Sequence, residues 1–205
     1  MHPQNKNIQQ CYKTYARHFD WAEGFALHWW GLGRLRRVLY RGIAGNVLEV
    51  GAGTGLSFQA YPKAAQVTAL DLSAEMLTFA QRRIRHRAHI SLVCGDALAL
   101  PFPAETFDVV TDCFGLCTYP DRRQALAEMM RVLKPRGQLL LIEHGLGRHK
   151  WLQRWQRKKA QKQCQKFHCQ WDLDMHQVVE KEGLNITMSR RYWLGMLYVL
   201  KIVKK

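Results

Sequence analysis

Short apolar runs recur along the chain at near-regular spacing, at residues 46–50, 67–71, 90–96, 107–113 and 138–143. Each is apolar at successive positions, the pattern of strands covered on both faces. Between them the period lengthens to that of helices. Residues 73–86 open with a serine cap and an early Glu75, and residues 122–133 stop before Lys134, Pro135 and Gly137. Strands alternating with helices predict a mostly parallel, doubly wound α/β sheet.

The flanks extend this pattern. Residues 9–40 read as two helical stretches whose bulky positions are Tyr12, Tyr15, Phe19, Trp29 and Trp30. A basic helix follows the fifth strand, then a helix over 172–182. Residues 184–192 and 196–203, joined through Trp193, Leu194 and Gly195, predict an antiparallel hairpin that completes a seven-stranded sheet. With no internal repeat and no Pro-, Gly- or Ser-rich linker, residues 1–205 read as one domain. Its parts are a helical lid (1–45), a ligand-binding core (46–145), and a basic helix, helix and hairpin (146–205).

The stretch VLEVGAGTG at 47–55 sets Gly51, Gly53 and Gly55 at alternate positions after a strand that carries Glu49. A dinucleotide turn would want a third glycine at position 56, which is Leu56, and no GxxxxGK phosphate loop is present. Asp71 ends the next strand. Small residues let a ligand without phosphates lie against the turn, Asp71 can accept hydrogen bonds from vicinal ribose hydroxyls, and Glu49 suits a primary ammonium. Taken singly, each has an ordinary reading: glycines in a turn, Asp71 as a helix cap, Asp96 in a loop, Met76 in the core. Their joint order and spacing points to a cofactor.

Together with DLSAEML, PFPAETFDVV and RVLKPRGQLLLIEHG, these motifs resemble the class I S-adenosylmethionine-dependent methyltransferases over most of the chain, about 12–198. The resemblance implies a Rossmann-like fold and S-adenosyl-L-methionine as cofactor, leaving as S-adenosyl-L-homocysteine. It implies that Tyr12, Glu49, Gly51, Gly53, Gly55, Asp71, Leu72 and Cys113 hold the cofactor, with Met76 on the adenine face and Asp96 and Ala97 at its edge. Tyr12, Ala16, Phe19 and Asp20 follow the Y-x-x-x-A-x-x-Y-D signature of the ubiquinone/menaquinone C-methyltransferases, with Phe19 where tyrosine is usual. GTGLSFQAYP also resembles the bacterial phospholipid N-methyltransferases. FGLCTYPD, IEHG and HCQWDLD resemble the methyltransferase-like thiol S-methyltransferases of endoplasmic-reticulum membranes. That last family carries an amino-terminal hydrophobic anchor. MHPQNKNIQQ has none, so membrane insertion is not expected.

Ligands of open α/β sheets sit outside the carboxyl ends of the strands, so Phe114 and Leu116 should border the acceptor, with Tyr15, Phe19 and Arg191 as further substrate contacts. Methyl transfer is an in-line displacement whose rate comes from proximity, orientation and desolvation. A base is needed only where the acceptor must lose a proton, and Glu143 and His144 are the candidates. The alternative has Glu143 paired with a cation such as Arg191 and His144 in a turn. The sequence after the fourth strand, DCFGL, lacks the [N/D]-P-P-[Y/F/W] motif of nucleobase amine methylation.

Composition adds a partner. The formal net charge is +15 in a chain with 47% hydrophobic residues and seven tryptophans, which calls for an anionic surface. Residues 148–166 hold eight Lys or Arg and no acid. Trp151, Leu152 and Trp155 read as one helical face flanked by cations, the pattern of a helix lying on an anionic membrane. Nucleic acid and a merely solvated face are the alternatives. No apolar run reaches the roughly 20 residues of a membrane span, so contact is expected to be peripheral and the setting cytoplasmic.

The six cysteines lack CxxC spacing and read as reduced thiols, Cys113 and Cys117 as packing and loop residues. Cys164, His168 and Cys169 lie close together in sequence, but without a suitably spaced fourth ligand no metal is expected. The expected activity is methyl transfer to a small or lipophilic acceptor at a membrane, namely a phospholipid amine, quinone precursor or thiol. The alternatives are an RNA or protein methyltransferase, or a cofactor-binding assembly factor without turnover.

Overall fold

The computed structural model describes residues 2, 4–14, 16 and 31–205. Seven strands form one sheet: β1 (Gly45–Val50), β2 (Ala65–Asp71), β3 (Ile90–Cys94), β4 (Phe107–Cys113), β5 (Leu133–His144), β6 (Ile186–Tyr192) and β7 (Leu197–Val203). Their order across the sheet is β3-β2-β1-β4-β5-β7-β6. The first five are parallel, and β7 runs antiparallel to both β5 and β6. Order reverses between β1 and β4, which opens a crevice beyond their carboxyl ends.

Helices cover both faces. They are α1 (residues 4–14), α2 (Leu32–Tyr40), α3 (Ala74–Arg83), α4 (Arg122–Val132), α5 (Lys150–Phe167) and α6 (Met175–Glu180). Successive strand side chains point to opposite faces. Hence Leu139 and Leu141 of β5 pack with Met129 of α4 and Met175 of α6, while Leu140 and Ile142 share the other core with Leu32 of α2 and Leu77 of α3. Two covered faces explain why these strands read as continuous apolar runs.

Element ends shift where local chemistry overrides the pattern. α3 begins after Ser73, whose hydroxyl accepts from Met76 N at 3.3 Å, and stops at Arg83 instead of continuing to residue 86. β3 ends at Cys94, leaving Gly95 and Asp96 in the loop. β5 starts at Leu133, earlier than the expected 138, because Leu133 pairs with Phe107 across a register shift. α6 is shortened to Met175–Glu180 by an Asp174 cap, whose carboxylate accepts from His176 N at 3.1 Å.

Candidate active site

The carboxyl ends of β1, β2 and β4 line a cavity of about 490 Å³. At its floor the turn after β1 holds Gly51, Gly53 and Gly55 at φ of 68°, 56° and 80°. Residues with side chains rarely adopt that conformation. Gly53 N donates to Asp71 Oδ2 at 2.7 Å and Ser73 N donates to Oδ1 at 2.8 Å. Asp71 therefore ties the turn to the start of α3, and each carboxylate oxygen keeps a further lone pair for a ribose hydroxyl. Gly55 lies outside the cavity wall: a Cβ there would run into the Phe58 ring, so its role is to let the turn close.

Glu49 and Arg36 are both buried yet line the same cavity. Arg36, from α2, donates to Cys113 Sγ from Nε at 3.3 Å and Nη2 at 3.1 Å. Arg36 Nη1 and Glu49 Oε2 have no hydrogen-bond partner. Burial pushes the Glu49 carboxyl up to about 7, against the opposing pull of Ser57, Arg36 and Tyr61. A cation and an acid, each with an unused polar atom, fit the two ends of an amino-acid zwitterion.

Helix α1 closes the other end. Asn5 Nδ2 donates to Asp96 Oδ2 at 2.6 Å, while Leu98 N donates to Asp96 Oδ1 at 2.9 Å. Gln9 Nε2 donates to Leu72 O at 3.2 Å, and Lys13 pairs with Glu75 of α3 at 3.1 Å. Tyr12 lines the cavity, and its hydroxyl is held well above its ordinary pKa, first by burial and then by the acidic groups Cys117, Cys169, Cys11 and Asp71. Met76, Leu72 and Ala97 also line this end.

Elsewhere on the wall the loop after β4 carries Phe114, at φ 63°, whose ring stacks on His144 with centroids 5.6 Å apart. Trp171 and Trp193 complete an aromatic wall. His144 Nε2 lies 3.1 Å from Cys169 Sγ and 3.5 Å from Cys117 Sγ, and the two sulfurs are 3.7 Å apart. Of this pair Cys169 is the more acidic, pulled down to about 5 by Cys117 and then by His144 and Arg122, against burial.

Several expected contacts fall elsewhere. Strand alternation sends Asp112 of β4 and Glu143 of β5 to the same buried face, and neither lines the cavity. Glu143 Oε1 accepts from Leu116 N at 3.1 Å and Asp112 Oδ1 accepts from Gly115 N at 2.8 Å, so the pair holds the β4 loop from beneath. Their other oxygens, Asp112 Oδ2 and Glu143 Oε2, have no donor. Burial raises both carboxyls, Asp112 to about 6 and Glu143 further because Asp112 repels its charge. A proton retained between them satisfies both. Glu143 thus holds the loop and, unlike His144, does not line the cavity where a base would meet an acceptor.

Leu116 is fully buried in the core and lies off the wall, since its backbone, not its side chain, meets the loop-holding acids. Arg191 is drawn away by Gly195 O, at 2.9 Å from Nε, by Leu146 O, and by the Tyr198 ring at 4.2 Å. It pairs with neither the cavity nor Glu143. Tyr15 and Phe19 lie outside the described residues. Cys164 is exposed on α5 and His168 caps that helix; the fold instead gathers Cys169 with Cys117 and His144.

On α5, Leu152 turns inward against Gly147, leaving Trp151 and Trp155 outside at 62% and 47% exposure. The expected three-residue face is thus two tryptophans. Gln156, buried on the inner face, accepts from Gly147 N at 2.8 Å and donates to Gly145 O at 2.9 Å, which fixes the turn after β5. Among the described residues no helix is long and apolar enough to cross a membrane.

Residues 48–141 match the family model described as a methyltransferase domain. The mitochondrial methyltransferase OMS1 of Saccharomyces cerevisiae is 26% identical over 98% of this chain and 47% of its own length. A demethylmenaquinone methyltransferase of Renibacterium salmoninarum is 48% identical over 48% of this chain and 40% of its own. The chain thus spans less than half the length of these curated relatives. A SAM-dependent methyltransferase of Thermotoga maritima, 21% identical, shares the fold with a TM-score of 0.73 over 96% of this chain and 100% of that one.

Proposed function

We propose that this chain is a class I methyltransferase that uses S-adenosyl-L-methionine and methylates a small or lipophilic acceptor at an anionic membrane surface. Of the acceptor classes, a quinone precursor stands ahead of a phospholipid amine or a thiol. The observation that carries the reading is the cavity's division. Its lining combines a charged set, Asp71, Asp96, Glu49 and Arg36, with an aromatic set, Phe114, Trp171 and Trp193.

The charged set is the proposed seat of the cofactor. Asp71 meets the ribose, Asp96 and Ala97 the adenine edge, and Met76 the adenine face. Glu49 takes the ammonium and Arg36 the carboxylate, which employs the two polar atoms otherwise without partners. When bound, the cofactor supplies a methyl carbon activated by its sulfonium. The aromatic wall orients the acceptor and excludes water, so that approach in line with the leaving sulfur is favoured. Burial of Asp112 and Glu143 keeps the loop bearing Phe114 in one position.

Two further observations support a membrane acceptor. Trp151 projects from the most basic segment of the chain, beside a half-exposed Trp155 that packs on Trp171, and each cation near an anionic surface is worth about 1 kcal/mol. A relative named for demethylmenaquinone favours an aromatic ring as acceptor, which stacks well on Phe114 and Trp171.

The test is a transfer assay with methyl-labelled S-adenosylmethionine. Acceptors are demethylated quinones and phosphatidylethanolamine in anionic vesicles, small thiols in solution, and RNA. Label in the quinone fraction supports the reading. Label only in RNA or protein would replace it, and cofactor binding without any transfer would favour a non-catalytic assembly role.

A further inference from the structure

The cluster at the acceptor end is built from three separate segments: the loop after β4 (Cys117), the end of β5 (His144) and the loop after α5 (Cys169). The ligand atoms of all three lie within 4.8 Å of one another. Tetrahedral zinc with bonds of about 2.3 Å to sulfur and about 2.0 to 2.1 Å to imidazole sets S···S edges near 3.8 Å and S···N edges near 3.5 Å. The corresponding separations here are 3.7 Å for the sulfurs, 3.5 Å for Cys117 to His144 and 3.1 Å for Cys169 to His144. Three atoms already stand close to one face of that tetrahedron.

The surroundings fix this face. Gln170 N donates to Cys117 O at 3.0 Å, joining the two cysteine-bearing loops. Arg122 grips the same place, donating to Leu116 O at 3.1 Å and to Gln170 Oε1 at 3.0 Å, and the Phe114 ring stacks on His144. Orientation by such outer contacts is what a metal site requires of its ligands. All three residues line the cavity.

We propose that Cys117, His144 and Cys169 bind zinc, with the fourth coordination position open to the acceptor end of the cavity. Both cysteines bind as thiolates, whose two charges balance the dication. Soft sulfur ligands beside an imidazole select zinc over magnesium or calcium. A Cys2His set with one open position is the arrangement of zinc sites that bind a further ligand, in contrast to closed four-ligand structural sites. The two cysteines are free thiols whose sulfurs stand 3.7 Å apart. The proposal is independent of which acceptor the domain methylates.

The experiment uses the full chain purified under reducing, chelator-free conditions. Elemental analysis is expected to find one zinc per chain. Cobalt(II) exchanged into the site should give thiolate-to-metal charge-transfer absorption and the intense visible bands of a tetrahedral ion, and 2-mercaptoethanol should shift those bands through the open position. Cys117→Ser and Cys169→Ser should each lose most of the bound metal, while Cys94→Ser, an exposed thiol on β3, retains it. Circular dichroism checks that the variants fold, and if they do not, the spectrum of the unaltered chain decides. Reduced protein that takes up neither zinc nor cobalt overturns the proposal. So does metal retained by both cysteine variants, or a cobalt spectrum without the thiolate band.

Discussion

Replacing Glu49 by glutamine should strengthen the ligand-free protein and weaken its hold on the cofactor. Burial raises this carboxyl from its ordinary 4.5 to about 7. Below 4.5 the group is protonated in both the folded and unfolded chain, so it contributes no pH dependence. Between 4.5 and 7 the unfolded chain gives up the proton while the folded one keeps it, and stability falls as pH rises. Above 7 the full cost is present, on the order of 3 kcal/mol for a shift of this size. Glutamine avoids that cost but weakens contacts with Ser57 and Tyr61, a loss of about 1 kcal/mol. Glu49→Gln should therefore gain about 2 kcal/mol in urea unfolding at pH 8. The gain should shrink as pH falls, cross zero at about pH 5 and become a loss of up to about 1 kcal/mol below pH 4.5. Titration calorimetry at pH 8 should show S-adenosylmethionine bound 10- to 100-fold more weakly, as expected of a charge-assisted contact worth about 1.5 to 3 kcal/mol. In the unaltered protein affinity should rise as pH passes upward through 7, where Glu49 ionises. A stability difference that does not change with pH would refute the burial argument, and unchanged affinity would remove Glu49 from the ammonium site.

Other outcomes separate holding roles from chemical ones. Asp71→Asn puts a donor where two backbone N–H groups now converge. It should cost about 1 to 3 kcal/mol in chemical unfolding and at least about tenfold in cofactor affinity; unaltered calorimetric affinity would count against the ribose assignment. Glu143→Gln preserves the acceptor for Leu116 N and should keep the melting temperature within a few degrees and turnover within about threefold. A loss of turnover by orders of magnitude in the initial-rate assay would restore a base role. Trp151→Ala with Trp155→Ala should abolish flotation with anionic vesicles while leaving cofactor affinity unchanged; flotation that persists would assign these rings another purpose.

The sheet was legible because both its faces are covered, which turns strands into apolar runs, and because Ser73 marks a helix start in the sequence itself. The turn and Asp71 were legible because one strand and its successor bring them together at short range. Glu143 and His144 show where reading stops. Neighbours on one strand, they point to opposite faces, so one holds a loop and the other meets the cavity. Asn5, Gln9 and Arg36 gave no signal, since each reaches a partner far along the chain. The cysteine–histidine cluster was hidden for the same reason: in sequence Cys169 lies beside Cys164 and His168, where no metal was expected, whereas topology brings it to Cys117 and His144. Leu152 was misplaced because Gly147 leaves room beneath it, which periodicity cannot register.

The contact between Asn5 and Asp96 ties α1 to the residue proposed to meet the adenine edge. Each Asp96 oxygen accepts one hydrogen bond and keeps a further lone pair, so on that reading helix and adenine share the carboxylate. On the proposed reading, a nucleoside held beneath α1 leaves only when the contacts of Asn5, Gln9 and Lys13 open together, which would put part of the exchange step in a helix at the edge of the sheet.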